Sequence, residues 1–582
     1  MDRNAALAMF LIFAIWMVYI LVYSPKQRPE QLAQQPLQED TLKATTGSTQ
    51  ADQVEKLLPE AQPALAQPME DPQTELPVDT VVVTSDLYEY RFTTHGGVLS
   101  RAWLKKYFDF SQGGKDDDYT GALVQLVPAD STFFLYSVLH FSGTDRTVEL
   151  GRRHFEPNAT RLALSETRPS GKLEFTSQLA GGAEAKIVYS FRNDSYLVDA
   201  ELYLPDQLYG QKGSTLEVLL GPTLASNEKN LEEDYGEYNV VYYDDGEVVK
   251  KTLKNLDESD WSPSGEHSIL WGGLKSKYFL TAFFVPGAPM TSLKGTGKLL
   301  EHRMAFSGIF PIPDKPGPIN FSFYVGPQAY QQFKQLNFGI SKLIQYGWSI
   351  IQPFCKIILT VLLWMHQYIP NYAVLLIIFP LLVKVVFWPL TVRTTKSQIK
   401  MQQIQPLMNE LKVKYKDDPQ KQQQETLKLY REHKVNPLGG CLPLLIQMPV
   451  LIAMFFVFRL TIEFRGEPAF GWINDLSEPD PYYILPVLMG ATQFLQQKLS
   501  PTPMDPKMAP MMYMMPIVMI FFFLKFSSGL NFYYTWFNIF SIAQQLYINH
   551  KYHKPAGTAG AVSPVHTGPG GTPQPKGPGK RK

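Results

Sequence analysis

The sequence predicts a polytopic α-helical membrane protein with one large all-β domain between its helices. Hydrophobic residues make up 45% of the 582 residues and charged residues only 19%, yet the mean hydropathy is −0.13. The apolar residues are therefore concentrated in particular segments, as in a chain that is part membrane-embedded and part soluble. The formal net charge of zero does not indicate a nucleic-acid partner.

The N-terminal 77 residues predict a membrane anchor followed by a linker. An apolar run from Ala5 to Tyr23 resembles a signal peptide in length, but no small-x-small cleavage site follows it. Residues 1–23 are therefore predicted to be an uncleaved signal-anchor transmembrane helix. Residues 24–77 are rich in Gln, Pro, Glu and Ala and poor in core-forming residues, so they are predicted to be a disordered periplasmic linker.

Residues 78–337 are predicted to form a β-domain. In the segment LYEYRFTTHGG, Tyr88, Tyr90 and Phe92 alternate with polar residues, and SYLVDAELYL repeats the same period of two. Such alternation, interrupted by Gly, Pro and Asn, is typical of a mostly antiparallel β-sandwich. Both cysteines, Cys355 and Cys441, lie outside this domain, so no disulfide framework is predicted.

The C-terminal half predicts one interfacial helix and five membrane spans. Polar residues recur on one helical face within 338–370, which is typical of an amphipathic helix that lies in the membrane interface. Five apolar runs follow, each near the 17–25 residues that a bilayer requires: about 372–390, 441–459, 482–498, 508–525 and 527–549. With the signal anchor they give six transmembrane helices.

Loop charge orients the predicted spans. The loop 391–440 contains ten Lys and Arg residues, the loop 462–481 contains one among five acidic residues, and six more follow Asn549. Because positively charged loops stay in the cytoplasm, both termini and the 391–440 loop are predicted to be cytoplasmic, and the β-domain to lie outside. A further span at 338–370 would export the loop with ten positive charges, so the interfacial helix is favoured.

Lys384 is the central candidate for a functional residue, because it lies inside an apolar predicted span. A charged side chain in a span costs about 2.5–3.5 kcal/mol on insertion scales and therefore needs a reason. One interpretation is that its flexible stem carries the ammonium to the inner interface. The other is that the ammonium faces a water-filled cavity inside the helix bundle. None of the apolar runs that define the predicted spans contains Asp or Glu to neutralise it.

Polar residues on the other spans bear on this choice. The last span carries four of them at spacings of four, three and four, which places them on one helix face. Taken alone, interhelical hydrogen bonding explains such a stripe equally well. Together with a lysine that lacks an acidic partner, the stripe favours a hydrated groove, and its candidate residues are Lys384, Gln447, Gln493, Tyr534, Asn538, Ser541 and Gln545.

The loop 391–440 is predicted to form a cytoplasmic hairpin of two amphipathic helices that break at Asp417–Pro419. Their apolar faces comprise Ile404, Leu407, Met408 and Leu411 on the first helix and Leu427 and Tyr430 on the second. A basic amphipathic hairpin is either a docking surface for a partner or anionic lipid, or a cap for the bundle. The candidate docking residues are Lys400, Lys412, Lys414, Lys416 and Arg431. Residues 550–582 are predicted to be a disordered basic cytoplasmic tail.

The sequence contains no catalytic constellation, metal-ligand spacing or phosphate-binding loop. Neither an enzymatic activity nor a cofactor is therefore predicted. Two alternatives stay open. A lone intramembrane charge also fits a secondary transporter, although the spans show no repeated halves and no carboxylate for ion coupling. The β-domain could also be a periplasmic sugar-modifying enzyme that the spans anchor.

Three long motifs resemble the YidC family of bacterial membrane protein insertases: VNPLGGCLPLLIQMPV (435–450), DPYYILPVLMGATQFLQQKLSPT (480–502) and FSSGLNFYYTWFN (526–538). The resemblance runs over the whole chain in the same order. It implies a multi-pass protein of the inner membrane with a large periplasmic domain of the Gram-negative type. It also implies that this domain is a non-enzymatic β-supersandwich, and that residues 371–549 contain a five-helix insertase core.

The resemblance further implies a groove that is open to the cytoplasm and the lipid and closed towards the periplasm. Aligned through FWPLT (387–391), the positive residue of that groove is Lys384, where many relatives carry arginine, and Tyr534 corresponds to a tyrosine that contacts substrates. The implied activity is insertion and chaperoning of membrane proteins without a nucleotide. The implied partners are nascent membrane proteins, membrane lipids and the SecYEG translocon, with the ribosome and the signal-recognition receptor as further candidates.

Overall fold

The computed structural model describes residues 79–111, 121–128, 135–140, 147–179, 183–210, 213–221, 224–257, 261–263, 268–286, 289–336, 338–433, 435, 442–500 and 509–552. The predicted signal anchor, the predicted linker and most of the predicted tail lie outside these residues. The chain forms two compact units. The first unit comprises residues up to Gln352 together with Leu460–Gly466, and the second comprises Pro353–Arg459 and the residues from Glu467 onward.

The first unit is mostly β-structure, as the alternating pattern predicts. Its strands are β1 (Thr80–Thr84), β2 (Tyr88–Thr93), β3 (Val98–Phe108), β4 (Leu123–Gln125), β5 (Leu135–His140), β6 (Thr147–Glu149), β7 (Glu156–Pro157), β8 (Arg161–Ala163), β9 (Ser170–Gln178), β10 (Glu184–Arg192), β11 (Leu197–Tyr203), β12 (Thr215–Leu220), β13 (Asn239–Asp244), β14 (Glu247–Thr252), β15 (Ile269–Lys275), β16 (Phe279–Phe284), β17 (Ser292–Lys298), β18 (Arg303–Pro311) and β19 (Ile319–Pro327). Three short helices interrupt them: α1 (Leu231–Gly236), α2 (Leu253–Asp257) and α3 (Tyr330–Gln335).

The strands form three sheets. A nine-stranded sheet has the order β14-β13-β15-β16-β19-β11-β10-β9-β7, and two five-stranded sheets have the orders β4-β3-β2-β1-β8 and β17-β18-β12-β5-β6. The pairing is antiparallel, except that β1 pairs with β8 in parallel. Tyr88, Tyr90 and Phe92 on β2 are fully buried, whereas the intervening Glu89 and Arg91 are not. The period-two pattern therefore marks the core side of β2, because successive strand residues point to opposite faces.

Buried aromatic side chains organise the core around β2. The rings of Tyr88 and Tyr90 stack with centroids 4.0 Å apart. The Tyr90 hydroxyl donates a hydrogen bond to the Val325 carbonyl oxygen of β19 at 2.5 Å. Tyr88 and Tyr90 thus contribute apolar area while their hydroxyls keep carbonyl partners, as buried polar groups usually do.

A short segment from the loop 462–481 belongs to the first unit through Arg465. The side chain of Arg465 is 1% exposed and that of Glu228 is 5% exposed, and Arg465 Nε lies 2.8 Å from Glu228 Oε1. The guanidinium also donates hydrogen bonds to the carbonyl oxygens of Asn227 and Phe108. It stacks over the Phe110 ring at 4.4 Å. Every face of this buried cation is therefore compensated.

A second buried carboxyl group lies nearby in sequence, on α1. Asp234 is 1% exposed. It accepts hydrogen bonds from the Ser226 hydroxyl and the Lys277 backbone amide. Burial, and then the charge of Glu228, raises the pKa of Asp234 from 3.8 to about 6. Ionisation of this side chain therefore costs folding stability as the pH rises from about 4 to about 6, because burial disfavours the charged form.

The second unit is helical. Its helices are α4 (Gln352–His366), α5 (Tyr372–Val386), α6 (Trp388–Gln403), α7 (Gln405–Lys414), α8 (Pro419–Glu432), α9 (Leu442–Leu460), α10 (Ile484–Leu499), α11 (Ala509–Phe523) and α12 (Ser528–Tyr552). By length and composition, none of the helices in the described residues passes singly as a membrane span, whereas the bent pair of α5 and α6 passes together.

Several helices begin or end at residues that differ from the prediction, and prolines explain most of the differences. The span predicted at 372–390 ends at Val386, where the chain bends by 65° into α6. The bend comes just before Trp388 and Pro389, because a proline in the first turn of α6 has no backbone N–H with which to continue the hydrogen bonds of α5. The predicted 391–440 hairpin contains three helices rather than two, since α6 ends just before Pro406. The helix predicted over 338–370 is restricted to α4, which starts at Gln352-Pro353.

Within the second unit, α12 packs against both α5 and α10, and α10 packs against α11. A glycine sets the last contact. A Cβ at Gly490 of α10 would lie 2.2 Å from the Ile520 side chain of α11, so only glycine permits this close approach. The start of α10 is held by Asp480, whose carboxylate accepts hydrogen bonds from the backbone amides of Tyr482 and Leu485.

We expect Arg465→Leu to destabilise the first unit by about 3–5 kcal/mol, because it leaves the Glu228 carboxylate buried without its partner. The measurement is thermal unfolding of the purified full chain, with the unfolding of the β-structure monitored by its susceptibility to proteolysis. The double variant Arg465→Leu/Glu228→Leu should recover part of the loss. Arg152→Leu, which removes an exposed ion pair with Glu149, is the control and should change little. Equal unfolding temperatures for Arg465→Leu and Arg152→Leu would contradict the assignment.

Asp234→Asn should stabilise the first unit increasingly as the pH rises. The pKa of Asp234 is raised in the folded state, so ionisation costs stability between about pH 4 and pH 6, and the cost is complete above pH 6. The amide keeps an oxygen for the Lys277 amide but carries no charge. We expect a gain of up to about 3 kcal/mol at pH 7 and none at pH 4, since one pKa unit is about 1.36 kcal/mol. A gain that stays constant across unfolding curves from pH 4 to pH 7 would refute this origin.

Candidate functional site

Lys384 lies on the last turn of α5 and is half-buried. Its ammonium Nζ lies 3.6 Å from the centroid of the Phe537 ring on α12. Among the residues that the structure describes, this ring is the one recorded partner of Lys384, and no carboxylate lies within ion-pair distance. The amine of Lys384 is therefore held against an aromatic face, and no ion pair is recorded for it among the described residues.

The Phe537 ring belongs to an aromatic cluster on α12. Its centroid lies 6.0 Å from that of Tyr533 and 6.2 Å from that of Tyr534. Tyr533 contacts Phe379 of α5 at 6.0 Å, and Tyr534 contacts Phe523 of α11 at 5.9 Å. The aromatic cluster (Phe379, Phe523, Tyr533, Tyr534 and Phe537) thus joins rings from three helices, and Phe537 connects it to Lys384.

Several polar atoms in this region are buried without a hydrogen-bond partner in the described part of the chain. They are the hydroxyls of Tyr533 and Tyr534, Nε2 of Gln544 and Oδ1 of Asn531. Buried polar groups nearly always have a partner in native proteins, and leaving one unpaired costs free energy. This part of α12 therefore offers hydrogen-bonding capacity that a polar ligand or water can use.

The remaining candidates on α12 form hydrogen bonds within the protein. Asn538 donates to the Met489 carbonyl oxygen and to the Thr492 hydroxyl of α10, both at 3.3 Å. The Ser541 hydroxyl donates to the Phe537 carbonyl oxygen one turn earlier, at 2.6 Å. Gln545 donates to Asn549 at 2.8 Å. Asn538 therefore joins two helices, as the alternative interpretation of the stripe proposes.

No contact of Gln447 or Gln493 with Lys384 is recorded among the described residues. Both are half-buried, Gln447 on α9 and Gln493 on α10, and neither forms a recorded hydrogen bond with another candidate among the described residues. The structure thus brings together Lys384 and the α12 face that carries Tyr534. The role of the two glutamines stays a prediction.

Sequence reasoning missed Phe537, Tyr533 and Gln544. Phe537 follows Tyr534 by three residues, so the helical period places both on neighbouring positions of one face. That period predicts the face but not its contact with Lys384, because pairing α5 with α12 depends on tertiary packing. An aromatic residue within an apolar helix carries no signal of its own in the sequence.

The hairpin carries its candidate docking residues on exposed surfaces. Lys400, Lys414, Lys416 and Arg431 are exposed, and Lys412 is half-buried. Met401, Ile404, Tyr430 and Val435 form a small core, with Met408 packed against it. Leu407 and Leu427, which were predicted on the apolar faces, are 39% and 48% exposed instead. For Leu407 the difference follows from the break before Pro406, which changes the face that α7 presents.

In the described part of the chain, no group of three or more His, Cys, Asp or Glu side chains has the geometry of a metal site. The chemistry available around Lys384 is therefore that of one cation, several aromatic faces and unpaired polar atoms. Such a set binds, orients and releases a ligand by electrostatics and hydrogen bonding.

The Asn538→Leu variant tests whether Asn538 has the structural role that its bonds indicate. Loss of the Asn538 hydrogen bonds to α10 should destabilise the second unit by about 0.6–1.7 kcal/mol, the range measured for hydrogen bonds between membrane helices. Ser541→Ala is the matched control, because Ser541 bonds only within its own helix and should cost little. The measurement is the fraction folded against sodium dodecyl sulfate in mixed micelles. Identical unfolding curves for Asn538→Leu and wild type would refute the role.

Comparison with known proteins identifies relatives of both units. The family model described as YidC periplasmic domain matches residues 80–360, and the model described as 60Kd inner membrane protein matches residues 364–555. A membrane protein insertase YidC from Syntrophus aciditrophicus is 32% identical over 563 residues, which cover 94% of this chain and 99% of the relative. One from Geobacter sp. strain M21 is 35% identical over 477 residues, covering 81% of this chain and 85% of the relative.

A solved structure is similar at a lower level. A crystal structure of an active YidC insertase with its first transmembrane domain resolved shares 19% identity, covers 82% of this chain and 95% of its own, and has a TM-score of 0.34. The family assignment depends on the two family models and on the sequence relatives. Because these relatives exceed 30% identity and match nearly the whole chain, the chain belongs to the YidC family of membrane protein insertases.

Proposed function

We propose that this protein inserts hydrophobic segments of nascent proteins into the inner membrane through the surface formed by Lys384 and the aromatic cluster. The observation that carries the proposal is the state of Lys384. Its ammonium lies on an apolar helix, contacts a ring face and has no ion pair among the described residues. A cation in such a place is costly. Its presence is explained if an anionic group of the polypeptide being inserted (the passenger) pairs with it during part of each insertion cycle.

The unpaired polar atoms of α12 support a path for polar chain. A segment that crosses an apolar layer carries backbone amides and carbonyls, each of which costs free energy if it has no partner. The Tyr533 and Tyr534 hydroxyls and the Gln544 amide are buried and lack partners in the described residues. They can pair with the passenger's polar groups in turn, which lowers the barrier to its passage.

Exposed apolar side chains next to Lys384 support release into lipid. Leu381, Leu382, Val385 and Val386 on α5 are all exposed. Exposed apolar surface of this extent marks an interaction with a partner or a membrane. A hydrophobic segment that reaches this face gains free energy by leaving water for the lipid. Insertion then needs no nucleotide, because the hydrophobicity of the passenger supplies the driving force.

The topology belongs to the same proposal. We infer six transmembrane helices, namely the signal anchor and the spans around α5, α9, α10, α11 and α12, with both termini in the cytoplasm. The excess of Lys and Arg in 391–440 over 462–481 supports this orientation. The groove around Lys384 would then open to the cytoplasm and the lipid. The β-unit would be periplasmic, and we propose for it the non-enzymatic supersandwich that the family resemblance implies.

The exposed basic residues of the hairpin suit the first encounter with a passenger or its delivery machinery. Lys400, Lys414, Lys416 and Arg431 present their charges to solvent, where anionic groups such as RNA phosphates or acidic lipids are attracted. We propose the ribosome and the signal-recognition receptor as partners on this side. Cooperation with the SecYEG translocon on larger substrates, and a chaperone role, extend the proposal.

Reconstitution in liposomes tests the function. A one- or two-span substrate is synthesised in front of vesicles that contain wild type, Lys384→Ala or Lys384→Arg, and the protease-protected fraction is measured. We expect wild type and Lys384→Arg to insert the substrate and Lys384→Ala to lose at least about 90% of the activity, which corresponds to about 1.4 kcal/mol. Lys498→Ala, which removes an exposed lysine at the end of α10, should retain it.

Two results would contradict the proposal at different levels. Equal insertion by all variants would remove Lys384 from the mechanism and leave the insertase activity in place. No insertion by wild type above empty liposomes would contradict the proposed function itself.

A further inference from the structure

We propose that Phe537 is a positioning residue that holds the Lys384 ammonium inside the helical unit between substrates, so that the site favours segments that carry a carboxylate. The inference rests on the proposed function, since it concerns how the same site selects its passenger. It starts from the contact between the Lys384 ammonium and the Phe537 ring.

The contact is short and its geometry is specific. The distance of 3.6 Å from Nζ to the ring centroid is the shortest cation–ring distance recorded in the described residues, and the next are 4.4 Å. A cation over an aromatic face is attracted by the ring quadrupole within about 6 Å, and more strongly when both groups are desolvated. The ammonium of Lys384 therefore has a defined position, although its stem is flexible.

The ring itself is fixed. Phe537 is only 6% exposed. Tyr533 and Tyr534 lie beside it with interplanar angles of 32° and 59°. The Phe537 carbonyl oxygen accepts the hydrogen bond from Ser541, which adds a tie to the same turn of α12. A ring packed in this way stays in place when the ammonium leaves, so it can receive the ammonium again after each substrate.

A ring suits a reusable partner better than a carboxylate would. A buried ion pair is difficult to separate because each charge would lose its partner in a medium of low dielectric constant. The aromatic face stabilises the ammonium less than a carboxylate does and carries no charge of its own. A carboxylate on an arriving segment therefore displaces the ring, whereas a neutral polar group gains much less. The pair of Lys384 and Phe537 thus discriminates by charge.

The removal of the ring should weaken this selection and free the ammonium. In Phe537→Leu the side chain stays apolar, but the lysine stem can swing towards the exposed face of α5. We expect the ratio of insertion of a substrate with an N-terminal aspartate to that of its asparagine counterpart to fall by about twofold to thirtyfold, the range for a partly desolvated cation–ring contact. Phe537→Tyr keeps the aromatic face and should retain the ratio. In a Lys384→Met background, Phe537→Leu should cause no further change in this insertion ratio.

A second measurement tests the contact between Lys384 and Phe537 independently of insertion activity, through the reactivity of the Lys384 amine. The full-length protein in liposomes is treated with a water-soluble amine-reactive reagent, and labelling of Lys384 is quantified by mass spectrometry relative to Lys498. Phe537→Leu should label Lys384 faster than wild type, and Phe537→Tyr should match wild type. Phe537→Met serves in place of Phe537→Leu if the latter does not fold, since it also lacks a ring.

The outcomes separate the two proposals. If wild type inserts the substrate but Phe537→Leu leaves both the charge ratio and the labelling rate unchanged, the positioning role is wrong and the insertase function stands. If Phe537→Leu lowers the aspartate-to-asparagine insertion ratio equally in the Lys384→Met background, the positioning role is also wrong, because the effect of the ring would then be independent of the lysine. If wild type inserts neither substrate, the proposed function fails, and the labelling rates alone decide whether Phe537 holds the ammonium.

Discussion

The electrostatic cost of one ammonium on an apolar helix is the constraint on which the proposed site depends. Lys384 lies among exposed aliphatic side chains of α5, and its recorded partner in the described residues is an aromatic ring. Water or a carboxylate would stabilise the charge more than a ring does. The surrounding features follow from that imbalance: α12 supplies the ring and the unpaired hydroxyls, and its packing on α5 fixes their position.

Arg465, a buried cation in the same chain, is an example of a charge with several polar partners. Arg465 has a carboxylate, two carbonyl oxygens and a ring around its guanidinium. Such a group is fixed, because any displacement exposes the partner to a large desolvation cost. Lys384 has one weak partner and is therefore free to exchange it. Arg465 thus has the surroundings of a structural residue, whereas the surroundings of Lys384 are compatible with the binding role that we propose for it.

The sequence predicted the parts of this protein that depend on local patterns. The alternation of Tyr88, Tyr90 and Phe92 predicted a strand with one buried face, and a lysine within an apolar run singled out the residue around which the proposed site is built. Contacts across long sequence separations were not predictable. Arg465 and Glu228 are far apart in the chain, and Lys384 meets Phe537 only because α5 packs on α12. The prolines at 389 and 406 were visible in the sequence, but their effect on the helix ends was underestimated.

The central claim is that a passenger moves along the α12 face that carries Phe537, and site-specific photo-crosslinking tests it most directly. A photoreactive amino acid replaces Gln545 on α12 in one variant and Ile517 on α11, an exposed apolar position, in another. A ribosome-bound substrate of increasing length is then presented to each variant in membranes. The account predicts crosslinks from position 545 as the substrate's hydrophobic segment emerges and weaker ones from position 517. Equal crosslinking at both positions, or crosslinking from position 517 alone, would contradict it.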